Sequence, residues 1–198
     1  MKDSANIKEM PVYYLAYFLI YLFMTSSNVY AGPLSTGKSF PDILLPSLSS
    51  ESNSEYLGVK TGNNFNLIDI KSEVIIVQIF SMYCPNCQKE APNVNNLLSL
   101  IEKNQFLKGK IKLIGIGAGN SQFEVEYFAK NYNVKFPLFS DKDYEIHNKT
   151  GKVWTPHFYV IKKTTDGGLI VTVSVSGSLN NPRLFLENTV RVLNLKIQ

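Results

Sequence analysis

The chain has 198 residues, 44% of them hydrophobic and 18% charged, with a formal charge of +4. That balance excludes a disordered or low-complexity polymer and suits one globular domain with a substantial core. The basic residues are scattered along the chain, which gives no support to nucleic-acid binding.

Residues 1–31 read as a targeting segment. An uncharged apolar run, residues 12–24, is followed by the polar Thr25-Ser26-Ser27-Asn28 and then by Val29-Tyr30-Ala31, a small-residue cleavage pattern ending at Ala31. The run is too short for a helix across a hydrocarbon core ~30 Å thick and has the length of a signal-peptide apolar region. Lys2 and Lys8 are offset by Asp3 and Glu9, which keeps an uncleaved anchor as the rival reading. Either way the folded part is expected outside the cytoplasm.

Residues 32–64 read as an N-terminal extension. A loose lead-in reaches Phe40, and the apolar residues 40–45 are expected to dock on the domain edge. Residues 47–54 are Ser-rich and read as a solvated loop. Residues 55–58 and 64–67 are expected to pair as a hairpin around Thr61-Gly62-Asn63. The main domain is expected over residues 65–198.

In that domain residues 74–80 form an apolar, largely β-branched run, the pattern of a buried strand. Ser81-Met82-Tyr83-Cys84-Pro85-Asn86-Cys87-Gln88-Lys89-Glu90 follows, and a helix is expected over 85–102, bent at Pro92, with Val94, Leu97, Leu98 and Ile101 inward. Residues 111–116 read as a second buried strand. Residues 122–132 read as a helix capped by Ser121, with Phe123, Tyr127 and Phe128 inward. A short strand over 135–139, a helix or turn over 141–148 and a strand over 158–161 come next, the last entered through Trp154-Thr155-Pro156-His157. Asp166-Gly167-Gly168 turns the chain back into an antiparallel strand over 169–175. A last helix opens at Pro182 and carries Leu184, Phe185, Val190 and Leu193. The order β-α-β-α-β, then β-β-α, is an α/β fold with a central mixed sheet flanked by helices and an N-terminal extension.

Cys84 and Cys87 are the only cysteines. An extracytoplasmic protein normally spends cysteines on staples between distant segments. A bridge between residues three apart closes a tiny loop and removes little chain entropy, so a redox pair is the stronger reading. Pro85 suits a first helical position and puts Cys84 at the helix start, where free N–H groups and the macrodipole stabilise a thiolate.

Cys84, Cys87, Glu90 and Pro92 resemble the Cys-x-x-Cys-x-x-Glu-x-Pro pattern of the TlpA/ResA-like extracytoplasmic thiol-disulfide oxidoreductases, which have the thioredoxin-like fold and sit in the redoxin/AhpC-TSA superfamily. Phe136-Pro137 and Asp141 fit that family's Phe-Pro-x-x-x-Asp stretch, Phe40-Pro41-Asp42 its Pro-Asp entry, and Thr155-Pro156 its Thr–cis-Pro element. The resemblance covers roughly residues 65–195. It implies Cys84 as the exposed nucleophile and Cys87 as the buried resolving thiol, with Pro156 cis and the Thr155 backbone beside the sulfurs. Tyr83, Thr155 and Pro156 are then the substrate-binding residues. It implies electron exchange with a cysteine-containing extracytoplasmic protein, such as an apocytochrome c, with this chain as the reductase, resupplied by a membrane or periplasmic dithiol donor. No cofactor, metal or nucleic acid is implied, and the membrane enters only through an uncleaved N-terminal segment.

The chain departs from the pattern at Tyr83, where the family usually has Trp, and in its Pro-Asn order. Pro85 stands first between the cysteines, as in glutaredoxins and DsbA-type oxidants, while Asn86 brings no cation to hold a thiolate. The neutral Gln78 stands six residues before Cys84, where thioredoxins place a buried Asp, so Glu90 is expected to take the proton from Cys87. Two other functions share the fold. A peroxiredoxin needs Pro-x-x-x-Thr/Ser-x-x-Cys; Ser81 fits one slot, but Val77 fills the Pro slot. A copper-delivery module would recruit His157 to the cysteines, although copper chaperones on this fold carry Cys-x-x-x-Cys. His147 reads as a surface helix residue.

Overall fold

The computed structural model describes residues 32–195, so the signal-peptide or anchor segment, residues 1–31, lies outside the described residues. Among the described residues no helix is long and apolar enough to cross a membrane. The framework is a five-stranded sheet in the order β5-β4-β3-β6-β7. Its strands are β3 (Val74–Phe80), β4 (Ile111–Ala118), β5 (Leu138–Asp141), β6 (His157–Lys163) and β7 (Leu169–Ser176). β3, the apolar run, is central and buried at every residue, paired parallel to β4 and antiparallel to β6. A strand covered on both faces calls for such a near-continuous apolar sequence, interrupted here by the buried Gln78.

Side chains alternate between the faces of a strand, and here that alternation divides the core in two. Val74, Ile76, Leu113, Phe158 and Val160 face α2 (Pro85–Lys103) and α5 (Pro182–Leu193). Ile75, Val77, Ile79, Ile116, Tyr159 and Ile161 face the opposite way and pack on Phe40, Ile43, Leu45, Leu48 and Leu57. The N-terminal extension therefore covers a whole face of the sheet. Its lead-in also lies along β7, where Gly37 N–H donates to the Val171 carbonyl at 2.8 Å and Phe40 N–H to that of Leu169 at 2.7 Å.

The expected hairpin between 55–58 and 64–67 does not form. Glu51–Leu57 is a helix, α1, taking in the second half of the stretch read as a solvated loop. The Ser50 side chain caps it by accepting from Asn53 N–H, Gly58 closes it at φ 68, and Ser54 and Leu57 are buried. The serines supplied a cap and a small buried position, which outweighed their usual preference for loops. β2 (Phe65–Asn66) pairs instead with β1 (Leu44–Leu45).

α3 (Gln122–Asn131) starts at Ser121 as expected, with Glu124 completing a capping box. Its phase differs from the expected one: Val125 and Phe128 are buried, whereas Phe123 and Tyr127 are exposed. Val125 and Phe128 sit three apart and pack against Phe80, which rotates the other two rings to the outer face. Leu184 of α5 is likewise outward, with Leu186, Val190 and Leu193 forming the inner face. β5 begins at Leu138, later than expected, after Pro137, which cannot donate to a ladder. α2 runs unbroken through Pro92. α4 (Glu145–Lys149) carries His147, which is half-buried with Nε2 at 2.9 Å from the Val153 carbonyl, and so is not the surface residue expected.

Candidate active site

The buried strand β3 ends at Phe80, the turn Ser81-Met82-Tyr83 follows, and α2 begins at Pro85 with Cys84 as its N-cap. Cys84 Sγ accepts the N–H of Cys87 at 3.4 Å, so a sulfur fills the place that a Ser or Asp oxygen takes at other helix starts. Cys84 is half-buried and Cys87 is fully buried in a cluster with Phe80, Ala91, Val125 and Phe128; both are free thiols. From the opposite side comes the chain before β6. The Thr155–Pro156 bond is cis, and Cys84 Sγ donates to the Thr155 carbonyl at 3.3 Å.

This placement separates the two thiols chemically. Partial burial opposes the Cys84 thiolate, but hydrogen bonds from the Thr155 side chain, the Cys87 thiol and the backbone of Cys87 and Asn86 outweigh it, and the pKa falls below the ordinary value. Burial pushes the Cys87 thiol up to about 12, with the Ser81 backbone opposing the shift and the Cys84 sulfur adding to it. The result is an accessible sulfur disposed to ionise and an inaccessible one that holds its proton. Such a pair can attack an external disulfide and then close on itself.

The other residues singled out in the sequence fall as follows. Glu90 is buried, one turn beyond Cys87 on α2. Its carboxylate accepts from Asn93 Nδ2 at 3.1 Å, from the Leu179 N–H at 2.8 Å and from the Ser178 hydroxyl, so it also ties α2 to the loop before α5. Gln78 is buried on the face of β3 that carries Phe80. Tyr83 is 65% exposed, its hydroxyl donating to Glu124, and Trp154 is 90% exposed beside Thr155.

His157 does not join the cysteines. It lies on the sheet face opposite α2, its ring 4.3 Å from that of Tyr159 and tilted to it by 52°, with Nδ1 2.8 Å from Ser176 Oγ and Nε2 3.1 Å from Ser174 Oγ. Burial pushes its pKa down to about 4, so it stays neutral at physiological pH. Among the described residues no group of His, Cys, Asp and Glu is assembled to hold a metal.

Two side chains that the sequence did not mark hold the turn before Cys84. Asn120 Oδ1 accepts the Met82 N–H at 2.8 Å, and Gln88 Nε2 donates to the Met82 carbonyl at 2.8 Å. Asn120 lies 38 residues from Met82 in the chain, and no local spacing pattern signals that pairing.

Against known proteins, the family described as AhpC/TSA matches residues 36–166, more than half of the chain. A thiol-disulfide oxidoreductase ResA of Bacillus thuringiensis subsp. konkukian is 30% identical over 109 residues, 55% of this chain and 59% of the relative. The match thus spans less than two thirds of that relative's length. Among solved structures, a putative thiol:disulfide interchange protein DsbE from Chlorobium tepidum superposes with TM-score 0.60 at 15% identity, covering 81% of this chain and 99% of the other. Peroxidoxin BcpB from Mycobacterium tuberculosis gives TM-score 0.56 at 17% identity, over 81% of this chain and 97% of the other. At these identities the structures establish the thioredoxin-like fold alone, and the fold is common to exchange proteins and peroxidoxins.

Proposed function

The chain belongs to the AhpC/TSA family, and from that premise we propose that it is a thiol-disulfide oxidoreductase that works outside the cytoplasm as a reductase of protein cysteine pairs. The observation that carries this reading is the division of labour between a half-buried, readily ionised Cys84 and a fully buried Cys87 whose pKa is about 12. In the first step the Cys84 thiolate attacks one sulfur of the substrate disulfide, that S–S bond breaks, and the departing sulfur takes up a proton. In the second, Cys87 loses its proton and attacks Cys84 Sγ. The mixed disulfide breaks, the substrate leaves as a dithiol, and Cys84–Cys87 is left oxidised by two electrons. An upstream extracytoplasmic dithiol returns it to the reduced state. Tyr83, Thr155 and Pro156 border Cys84 and serve as the substrate platform, for a cysteine pair such as that of an apocytochrome c. The N-terminal segment 1–31 delivers or tethers the domain, and residues 32–64 act as its extension.

The way the Cys84 thiolate is held supports the reducing direction. Only neutral hydrogen bonds lower its pKa, and no Lys, Arg or protonated His contributes. A strong oxidant needs a strongly stabilised reduced form. The peroxidase reading has the shared fold behind it, but Val77, in the place of the required Pro, is a buried residue in the middle of β3, paired to Ile114 and Tyr159. A proline at that position would have no N–H to give to the ladders of β3.

With dithiothreitol as electron donor, the chain is expected to reduce a peptide disulfide catalytically and to consume hydrogen peroxide no faster than free thiol does. Fast peroxide consumption with no disulfide reduction would sink the proposal.

Glu90 is proposed as the proton acceptor for Cys87, supported by its burial one turn further along the same helix. Glu90→Gln is then expected to move the pH midpoint of mixed-disulfide breakdown upward by about one unit, the shift for losing one nearby proton acceptor, while attack by Cys84 is unchanged. Single-turnover kinetics across pH checks this. An anchoring role alone would lower the melting temperature and leave the midpoint in place.

A further inference from the structure

The turn that presents the two cysteines has no ladder of its own: one backbone hydrogen bond closes it, and side chains satisfy the backbone of Met82. Cys84 N–H donates to the Ser81 carbonyl at 3.1 Å. Both polar groups of Met82 are claimed, one by Asn120 and the other by Gln88. Asn120 is completely buried just past the end of β4. It is itself fixed from behind: its N–H donates to the Gly117 carbonyl at 3.0 Å, and its own carbonyl accepts from Ser140 Oγ of β5 at 2.6 Å. Its Nδ2 lies 3.5 Å from Ser81 Oγ. A buried amide is costly unless its hydrogen bonds are made, and here they are directed at the turn before Cys84.

We propose that Asn120 is a positioning residue for the exchange reaction: by holding the Met82 N–H it keeps the Ser81–Met82 backbone against Cys87, so that a main-chain donor meets this sulfur as it becomes a thiolate. The effect belongs to the second step, in which the Cys87 thiolate forms the bond to Cys84 Sγ and the substrate sulfur leaves with the bonding electrons. Met82 packs against the cluster that buries Cys87, which sets this backbone beside the sulfur, and the Ser81 backbone favours the ionised form of that thiol. The ionisable groups near Cys87 are Cys84 and Glu90 on α2; the residues that meet it from β3 and α3 are Phe80, Val125 and Phe128, with Tyr132 packed at the edge of the same cluster. The proposal rests on the exchange reading of the same site.

The test is single-turnover reaction of the full chain with a peptide disulfide, separating formation of the mixed disulfide from its breakdown. Asn120→Leu is expected to slow breakdown about tenfold, the worth of one hydrogen bond to a charged group, with its pH midpoint raised and formation changed less than about twofold. Ser140→Ala, which loosens Asn120 without touching its amide, is expected to shift breakdown in the same direction by less, and carries the test if the Leu variant does not fold. Equal slowing of both steps, or no change in either, would overturn the proposal. Failure of the wild-type chain to form any mixed disulfide would overturn the exchange reading beneath it.

Discussion

Cys84→Ser is expected to abolish disulfide exchange, by on the order of 10³-fold or more, while Cys87→Ser is expected to accumulate a mixed disulfide with the substrate. A serine hydroxyl at the helix start would still accept the residue-87 N–H, so the cap survives and the loss is chemical. The contrast between the variants follows from burial: Cys84 is reachable and Cys87 is not. The pH dependence has a definite sign. Cys84 has a lowered pKa, so attack should rise with pH and level off below the value of an ordinary thiol. Cys87 titrates near 12, so iodoacetamide at neutral pH should label residue 84 and spare residue 87 in the folded chain. Mass spectrometry of the alkylated wild type and of the trapped Cys87→Ser adduct checks both statements. Labelling of Cys87 first, or a stable adduct on Cys87 in Cys84→Ser, would reverse the assignment.

Phe80→Ala is expected to cost about 3–5 kcal/mol of stability, the range for removing a buried aromatic ring and leaving its cavity. Phe80 is fully buried as the last residue of β3, with its ring 4.7 Å from that of Phe128. Around it stand Val125 of α3 and Cys87 and Ala91 of α2, all on rigid elements that cannot collapse into the space. The same ring helps to keep water from Cys87, so the variant should also lower the Cys87 pKa and make it reactive to alkylation. Urea unfolding measures the first effect and the pH dependence of alkylation the second. A loss under about 1 kcal/mol would show that the cluster repacks freely.

The parts of the site that were legible in the sequence lie within one local stretch. Cys84 and Cys87 on a strand–turn–helix are recognisable because the apolar run of β3, Pro85 at the helix start and the three-residue spacing are all local signals. Thr155-Pro156 was located by its likeness to a known pattern, and the structure brings the Thr155 carbonyl to Cys84 across 71 residues of chain. The errors have a common origin. Ser50 and Ser54 read as loop residues and Gly58 as the end of a hairpin strand, whereas all three shape α1, which buries Leu57 against the sheet. Phe123 and Tyr127 look like core by composition, yet Val125 and Phe128 won the inner face because they fit against Phe80.

The sequence by itself determined the place of the cysteine pair, the sheet's central strand and the helix that follows it, because hydrophobic periodicity, proline position and cysteine spacing act over a few residues. Tertiary structure alone decided the environment of those atoms. It buried Cys87, turned His157 toward the hydroxyls of Ser174 and Ser176, joined Glu90 to Ser178 and Leu179, and set Asn120 behind the turn. Burial and long-range hydrogen bonds depend on which distant segments share a space, and that is a property of the packed sheet rather than of any local stretch of chain.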